Sequence, residues 1–182
     1  MENFIFKYID IDADVLDQIM LEIKKFHTFK NFETHNFTTV NAKEAMPHLP
    51  TLEKWFQQNN LTPYYVAHMG QAALSEQDIH VDSGDNSLAL NFPIDIVEEC
   101  ATLFFEKNGE IETRYTPVTN VKYLKYVDHN PMVEIGRYTL TKPTLINVGI
   151  PHAIRNGSKT NMRYCFSFRF KEDPWHLVKD KD

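Results

Sequence analysis

Cysteine is scarce in this chain, with two residues, Cys100 and Cys165, among 182. They lie far apart and form no CxxC pair, which argues against a cysteine-based zinc site. The expectation is two buried thiols in a reducing compartment. Glycine is also scarce, at six residues. None builds a phosphate-cradling loop, and neither a GxSxG elbow nor an HExxH helix is present. An excess of positive charge is missing: 19 Lys and Arg face 25 Asp and Glu, a formal charge of −6. Extended contact with a nucleic-acid backbone is therefore disfavoured. No apolar run approaches the length needed to span a bilayer. The first residues lack the basic start and long apolar centre of a signal peptide. A cytoplasmic protein with no membrane partner is expected.

What the chain does have is an ordinary globular composition, 42% hydrophobic and 24% charged. Its length suits one domain with a sizeable core. Residues 4–9 read as a short strand. Several aspartates at 10–14 are candidate helix caps. Leu16, Ile19, Met20 and Ile23 then recur at helical spacing, so residues 15–26 should form an amphipathic helix covering a sheet. Residues 27–43 show no clean period, and His27, His35 and His48 read as surface groups. Residues 51–59 read as a second helix after Pro50.

From residue 62 the pattern changes to short strands, at 64–69, 78–82, 87–92, 101–106, 111–115, 121–127, 133–140, 144–148, 152–156 and 162–170. Residues 83–86 and the segment around His129 read as turn and loop. Asn108-Gly109, between the runs at 101–106 and 111–115, is a strong hairpin signal. Many short strands after a helical start predict a mainly β fold with flanking α, a sandwich or jelly roll with the N-terminal helices packed on one sheet. A single domain, 1–182, is expected, with 1–61 as helical support and 62–176 as the β core.

The candidate chemistry begins at His80-Val-Asp82. Two positions apart on a strand, both side chains face the same way. His152, placed at a strand start by the preceding Gly149-Ile-Pro151, could add a third ligand. Two histidines and one carboxylate, with positions left open, suit non-haem Fe(II). Alone, HxD is a common triplet, and an isolated histidine is more often structural than a ligand. The terminal strand adds a cation. Arg163, Cys165, Ser167 and Arg169 share one face, while Tyr164, Phe166, Phe168 and Phe170 share the other. The aromatic face should pack under the helices, and the Arg163 face should look inward. A buried guanidinium needs an anion, and a cosubstrate carboxylate would serve. Arg155 has the opposite strand parity. Arg169 has the right parity but lies about 20 Å along the strand, at about 3.3 Å per residue, and reads as a rim cation. His68 reads as structural.

The set His80-x-Asp82, His152 and Arg163 resembles the Fe(II)- and 2-oxoglutarate-dependent oxygenases, whose fold is a cupin-like double-stranded β-helix. It is most similar to the aspartyl/asparaginyl β-hydroxylase-like branch, with its small proline hydroxylases. The residues carrying this finer likeness are Val66-Ala-His-Met-Gly70, His152-Ala-Ile-Arg-Asn-Gly-Ser158 with Arg163, and Asp173-Pro-Trp-His176. It covers roughly residues 64–176 and leaves the first 60 uncovered. The resemblance implies Fe(II) on His80, Asp82 and His152, 2-oxoglutarate chelating that metal, and Arg163 pairing with its distal carboxylate. Tyr65 matches a hydroxyl assisting Arg163, although an ordinary core aromatic is an equal reading. Asn91 matches a contact to the metal-proximal carboxylate, against a role in satisfying strand-end backbone.

The activity so implied is a dioxygenase that consumes O2, can be stimulated by ascorbate, and releases succinate and CO2. Its expected reaction is hydroxylation of a C–H bond in an amino-acid side chain or similar small substrate, free or within a peptide. A competing reading is a cupin-like metal-dependent binding or sensor module without redox turnover. A third is a β-sandwich interaction protein with a degenerate site.

Overall fold

The computed structural model describes residues 4–32, 37–82, 87–116, 120–127 and 132–178. Strand β1 (Phe6–Tyr8) leads to helix α1 (Ala13–Phe29). Among the aspartates before it, Asp12 is the cap. Its carboxylate accepts from the backbone N–H groups of Asp14 and Val15, which the first turn would otherwise leave unpaired. Next come strand β2 (Phe37–Asn41), the short helix α2 (Ala42–Ala45), a 3-10 turn (Met46–His48) and helix α3 (Pro50–Gln58). The remaining strands are β3 (Pro63–Gln71), β4 (Ser75–Glu76), β5 (His80–Asp82), β6 (Leu88–Pro93), β7 (Cys100–Phe105), β8 (Ile111–Tyr115), β9 (Lys122–Tyr126), β10 (Glu134–Tyr138), β11 (Thr144–Asn147), β12 (His152–Asn156) and β13 (Arg163–Phe170).

Among the described residues these strands form two antiparallel sheets. One has six strands in the order β1-β11-β6-β13-β3-β2. The other has seven, ordered β10-β7-β12-β5-β9-β8, with β4 added beside β12. The alternation in β13 works as expected. Phe166, Phe168 and Phe170 are buried in the main core with Ile19, Ile23, Phe26, Leu52 and Phe56 of the helices. Phe56 meets Phe168 at 5.2 Å and Phe170 at 5.0 Å between ring centres. The helices thus lie on the outer face of the six-stranded sheet, and the opposite face of β13 looks toward the seven-stranded sheet. Cys100 and Cys165 are buried free thiols.

Several expectations are corrected. The runs flanking Asn108-Gly109 are not partners. Strand β7 pairs with β10 and β12, whereas β8 pairs with β9. Gly109 does adopt a positive φ of 114°, so the local turn signal is real. The apolar β7 is nevertheless taken on both edges by other strands, and the exposed β8 is left to pair outside. The first 61 residues are more than helical support, since β1 and β2 are the edge strands of the six-stranded sheet. Strand β2 showed no usable period because an edge strand binds by its backbone and needs little alternation of its own. His27 is buried, not superficial. It follows Ile23 by four positions on the inner face of α1 and meets His68 at 5.1 Å. The expected turn at 83–86, His35 and His129 lie outside the described residues.

Candidate metal centre

Strands β5 and β12 are adjacent, and His152 lies directly opposite His80 in their register. That pairing brings the two rings to 4.5 Å between centres. Asp82, two residues beyond His80, points to the same face. One ligand atom from each of His80, Asp82 and His152 lies within 4.8 Å of the others. The Nε2 of His80 is 3.6 Å from Oδ1 of Asp82. Neighbouring ligands on an octahedral metal at about 2.1 Å sit about 3 Å apart, so a small adjustment closes the site around an ion.

The rings are oriented for that task. His80 Nδ1 lies 2.8 Å from the carbonyl oxygen of Asp78, and His152 Nδ1 lies 2.9 Å from that of Ile150. A carbonyl accepts, so each Nδ1 carries the proton and each Nε2 keeps its lone pair for a metal. Burial, reinforced by His80, pushes the pKa of His152 down to about 4, so its ring is neutral and ready to ligate near pH 7. Burial alone would raise the pKa of Asp82. Arg169, His152 and His80 outweigh it and hold the carboxyl below its usual range.

A cavity of about 640 Å³ opens beside these three candidate ligands, and its walls include Tyr65, Asn91, Thr102, Ser167 and Arg169. Arg163 is not a wall residue. It lies at the other end of β13 and is 4% exposed. Its Nη1 is buried without a hydrogen-bond partner. The titratable groups acting on it are Cys165, Tyr138 and Cys100, with no carboxylate among them. Tyr138 lies within electrostatic reach of Arg163, and its buried phenol is hydrogen-bonded to Thr102 and Asn91. Those two residues do line the cavity. Asn91 donates to the Tyr138 oxygen at 3.4 Å, and its own Oδ1 has no partner. Two buried polar atoms without a partner, Arg163 Nη1 and Asn91 Oδ1, therefore neighbour the Tyr138 phenol, and of these two residues it is Asn91 that lines the cavity.

Tyr65 is not the hydroxyl near Arg163. Its register partner is Arg169, whereas Arg163 pairs with Gln71. Burial, partly offset by Arg169, raises the Tyr65 phenol to about 12. Tyr138 occupies the neighbourhood assigned to Tyr65. Sequence reasoning missed it because a tyrosine ending one of many strands carries no signal of which cation it faces across the sandwich. Arg169 also differs from its reading as a rim cation. Its side chain is 13% exposed and its Nη2 donates to Oδ2 of Asp82. Arg155, by contrast, pairs with Glu76 on the surface. His68 is fully buried and stacked on Phe32, which agrees with a structural role.

No protein-family model matches the sequence, and no curated protein matches it. Solved structures do match, at low identity. AviO1 from Streptomyces viridochromogenes Tue57 gives a TM-score of 0.53 at 9% identity, covering 93% of this chain and 90% of that one. The epimerase SnoN, in complex with Fe3+, alpha ketoglutarate and nogalamycin RO, gives 0.52 at 12% identity, covering 92% and 78%. HygX from Streptomyces hygroscopicus, with nickel and 2-oxoglutarate bound, gives 0.51 at 11% identity, covering 92% and 82%. At such identities the likeness carries the architecture and no finer branch: the chain is a jelly roll with flanking helices, built on the fold of these three structures.

Proposed function

We propose that this protein is an Fe(II)- and 2-oxoglutarate-dependent oxygenase. The observation that carries the reading is the set of three ligand atoms of His80, Asp82 and His152 within 4.8 Å, two of them on rings already held by backbone carbonyls. Two histidines and a carboxylate with open positions favour non-haem iron. The 2-oxoglutarate part rests on the buried Arg163, which neighbours Tyr138 and through it the cavity-lining Asn91 and Thr102. A buried guanidinium nitrogen without a partner is costly, and a carboxylate is the group that would satisfy it. Arg163 would pair with the distal carboxylate, with the Tyr138 phenol as a neutral donor. Asn91 Nδ2 donates to the phenol oxygen at 3.4 Å and so leaves the single phenol hydrogen for that carboxylate. The fold shared with structures that hold metal and 2-oxoglutarate agrees with this reading.

With both groups bound, the site would supply O2-derived oxidising power for a C–H bond, releasing succinate and CO2. The protein's own work is to hold three ligands on one side, anchor the distal carboxylate and present the substrate bond to the open side. The cavity is large enough for the cosubstrate and a small substrate together. Hydroxylation of an amino-acid side chain or similar small molecule rests on the finer sequence likeness of residues 152–158 with Arg163.

The test is incubation with Fe(II), ascorbate and 2-oxoglutarate in air. Succinate should form above the level of a His80→Ala control. Protein that binds the metal tightly yet leaves 2-oxoglutarate unbound and unconsumed would instead be the cupin-like binding module.

A further inference from the structure

Arg169 and Asp82 belong to different sheets, on β13 and β5 respectively. Their side chains meet across the cavity, where Arg169 Nη2 donates to Oδ2 of Asp82 at 2.5 Å. The other carboxylate oxygen, Oδ1, is the one facing His80 Nε2 at 3.6 Å. The carboxylate is therefore divided, with one oxygen turned to the histidine ligands and the other to a cation. Tyr65, directly opposite Arg169 in the strand register, lies within the electrostatic reach of both groups.

A carboxylate can bind a metal through one oxygen or chelate it through two, and chelation consumes one more coordination position. A charge-assisted hydrogen bond to one oxygen opposes chelation, because that oxygen must give up the guanidinium before it can turn toward the ion. We infer that Arg169 is a positioning residue that confines Asp82 to metal binding through Oδ1 alone, and so keeps one further position open on the metal. This inference rests on the metal-site reading above. It differs from a clasp that merely ties the two sheets together, since a clasp would govern stability and affinity but not the number of ligand atoms.

The experiment uses the full chain loaded with Mn(II), comparing wild type, Arg169→Met and Arg169→Lys. Solvent-proton relaxation counts exchangeable water on the ion, and titration followed by electron paramagnetic resonance gives affinity. Wild type should carry about three waters, the complement of three protein ligands in an octahedron. Arg169→Met should carry about two, with affinity no weaker than wild type, and Arg169→Lys should return the count to about three. An Arg169→Met protein with the wild-type water count, or one that loses affinity without losing a water, overturns the inference. Wild-type protein that fails to bind Mn(II) at all defeats the metal-site reading itself. Should Arg169→Met not fold, the metal-minus-apo infrared difference spectrum of wild type decides without it. Widely split carboxylate stretches are expected, and the narrow splitting of a chelating carboxylate overturns the inference.

Discussion

At the scale of single residues, Arg163 carries a cost in the resting fold. A buried guanidinium with an unpartnered nitrogen is destabilising until an anion reaches it. Arg163→Met should therefore leave the cosubstrate-free protein as stable as wild type or raise its melting temperature. The same change should weaken 2-oxoglutarate binding to the Mn(II) form by about 30-fold or more, the loss expected when one partner of a buried charge pair is removed. Tyr138→Phe, which deletes a single neutral donor, should weaken it by about 3- to 10-fold. Melting curves paired with calorimetric titration check both. Unchanged 2-oxoglutarate affinity in Arg163→Met would sink the assignment of the cosubstrate end.

At the scale of elements, helix α3 shows how the N-terminal segment is tied together. Leu49 precedes it and offers no side-chain cap. The buried Glu22 of α1 does that work from another helix, accepting from the Thr51 N–H at 3.0 Å and from its hydroxyl at 2.6 Å. A carboxylate at a helix start is favoured both by the free N–H groups and by the helix dipole. Glu22→Ala should destabilise the protein by about 1–3 kcal/mol, because it leaves the half-buried Thr51 donors without their acceptor. Urea unfolding measures this, and a change below a few tenths of a kcal/mol would contradict the capping role. The effect should stay within stability, since α1 packs on the outer face of the sheet, away from the ligands. The hairpin correction belongs to this scale too. A turn sequence specifies the bend at Gly109, but partner choice depends on which edges remain free once β10 and β12 have flanked β7.

For the whole molecule, the buried His152 ring couples folding to pH. His152 has its pKa lowered to about 4, while an unfolded histidine titrates near 6.5. Between those values the unfolded chain binds a proton that the folded chain refuses. The metal-free protein therefore loses stability as pH falls from about 6.5 to 4, with a slope from this group of up to about 1.4 kcal/mol per unit. The depressed carboxyl of Asp82 extends the loss to lower pH in the same direction. Chemical unfolding of wild type and His152→Gln at pH 7 and pH 5 isolates the effect. The difference between the two pH values should be smaller in the variant, and equal differences would refute it.

The sequence by itself determined what depends on local period. Two-residue alternation placed His80 with Asp82, set Phe166, Phe168 and Phe170 against the helices, and separated Arg163 from Arg155. Helical spacing marked α1, and a sharp change of pattern near residue 62 announced the strands. Tertiary structure alone decided what lies across the sandwich. Arg163 and Arg169 have identical parity, as the sequence required. The facing sheet then puts Tyr138 and Cys100 beside one, and Asp82 beside the other. Likewise Tyr65 and Tyr138 are both strand tyrosines, and only the tertiary structure puts Tyr65 opposite Arg169 and Tyr138 near Arg163. Parity follows from backbone geometry within one strand. Apposition follows from how two sheets stack, and no short run of residues encodes it.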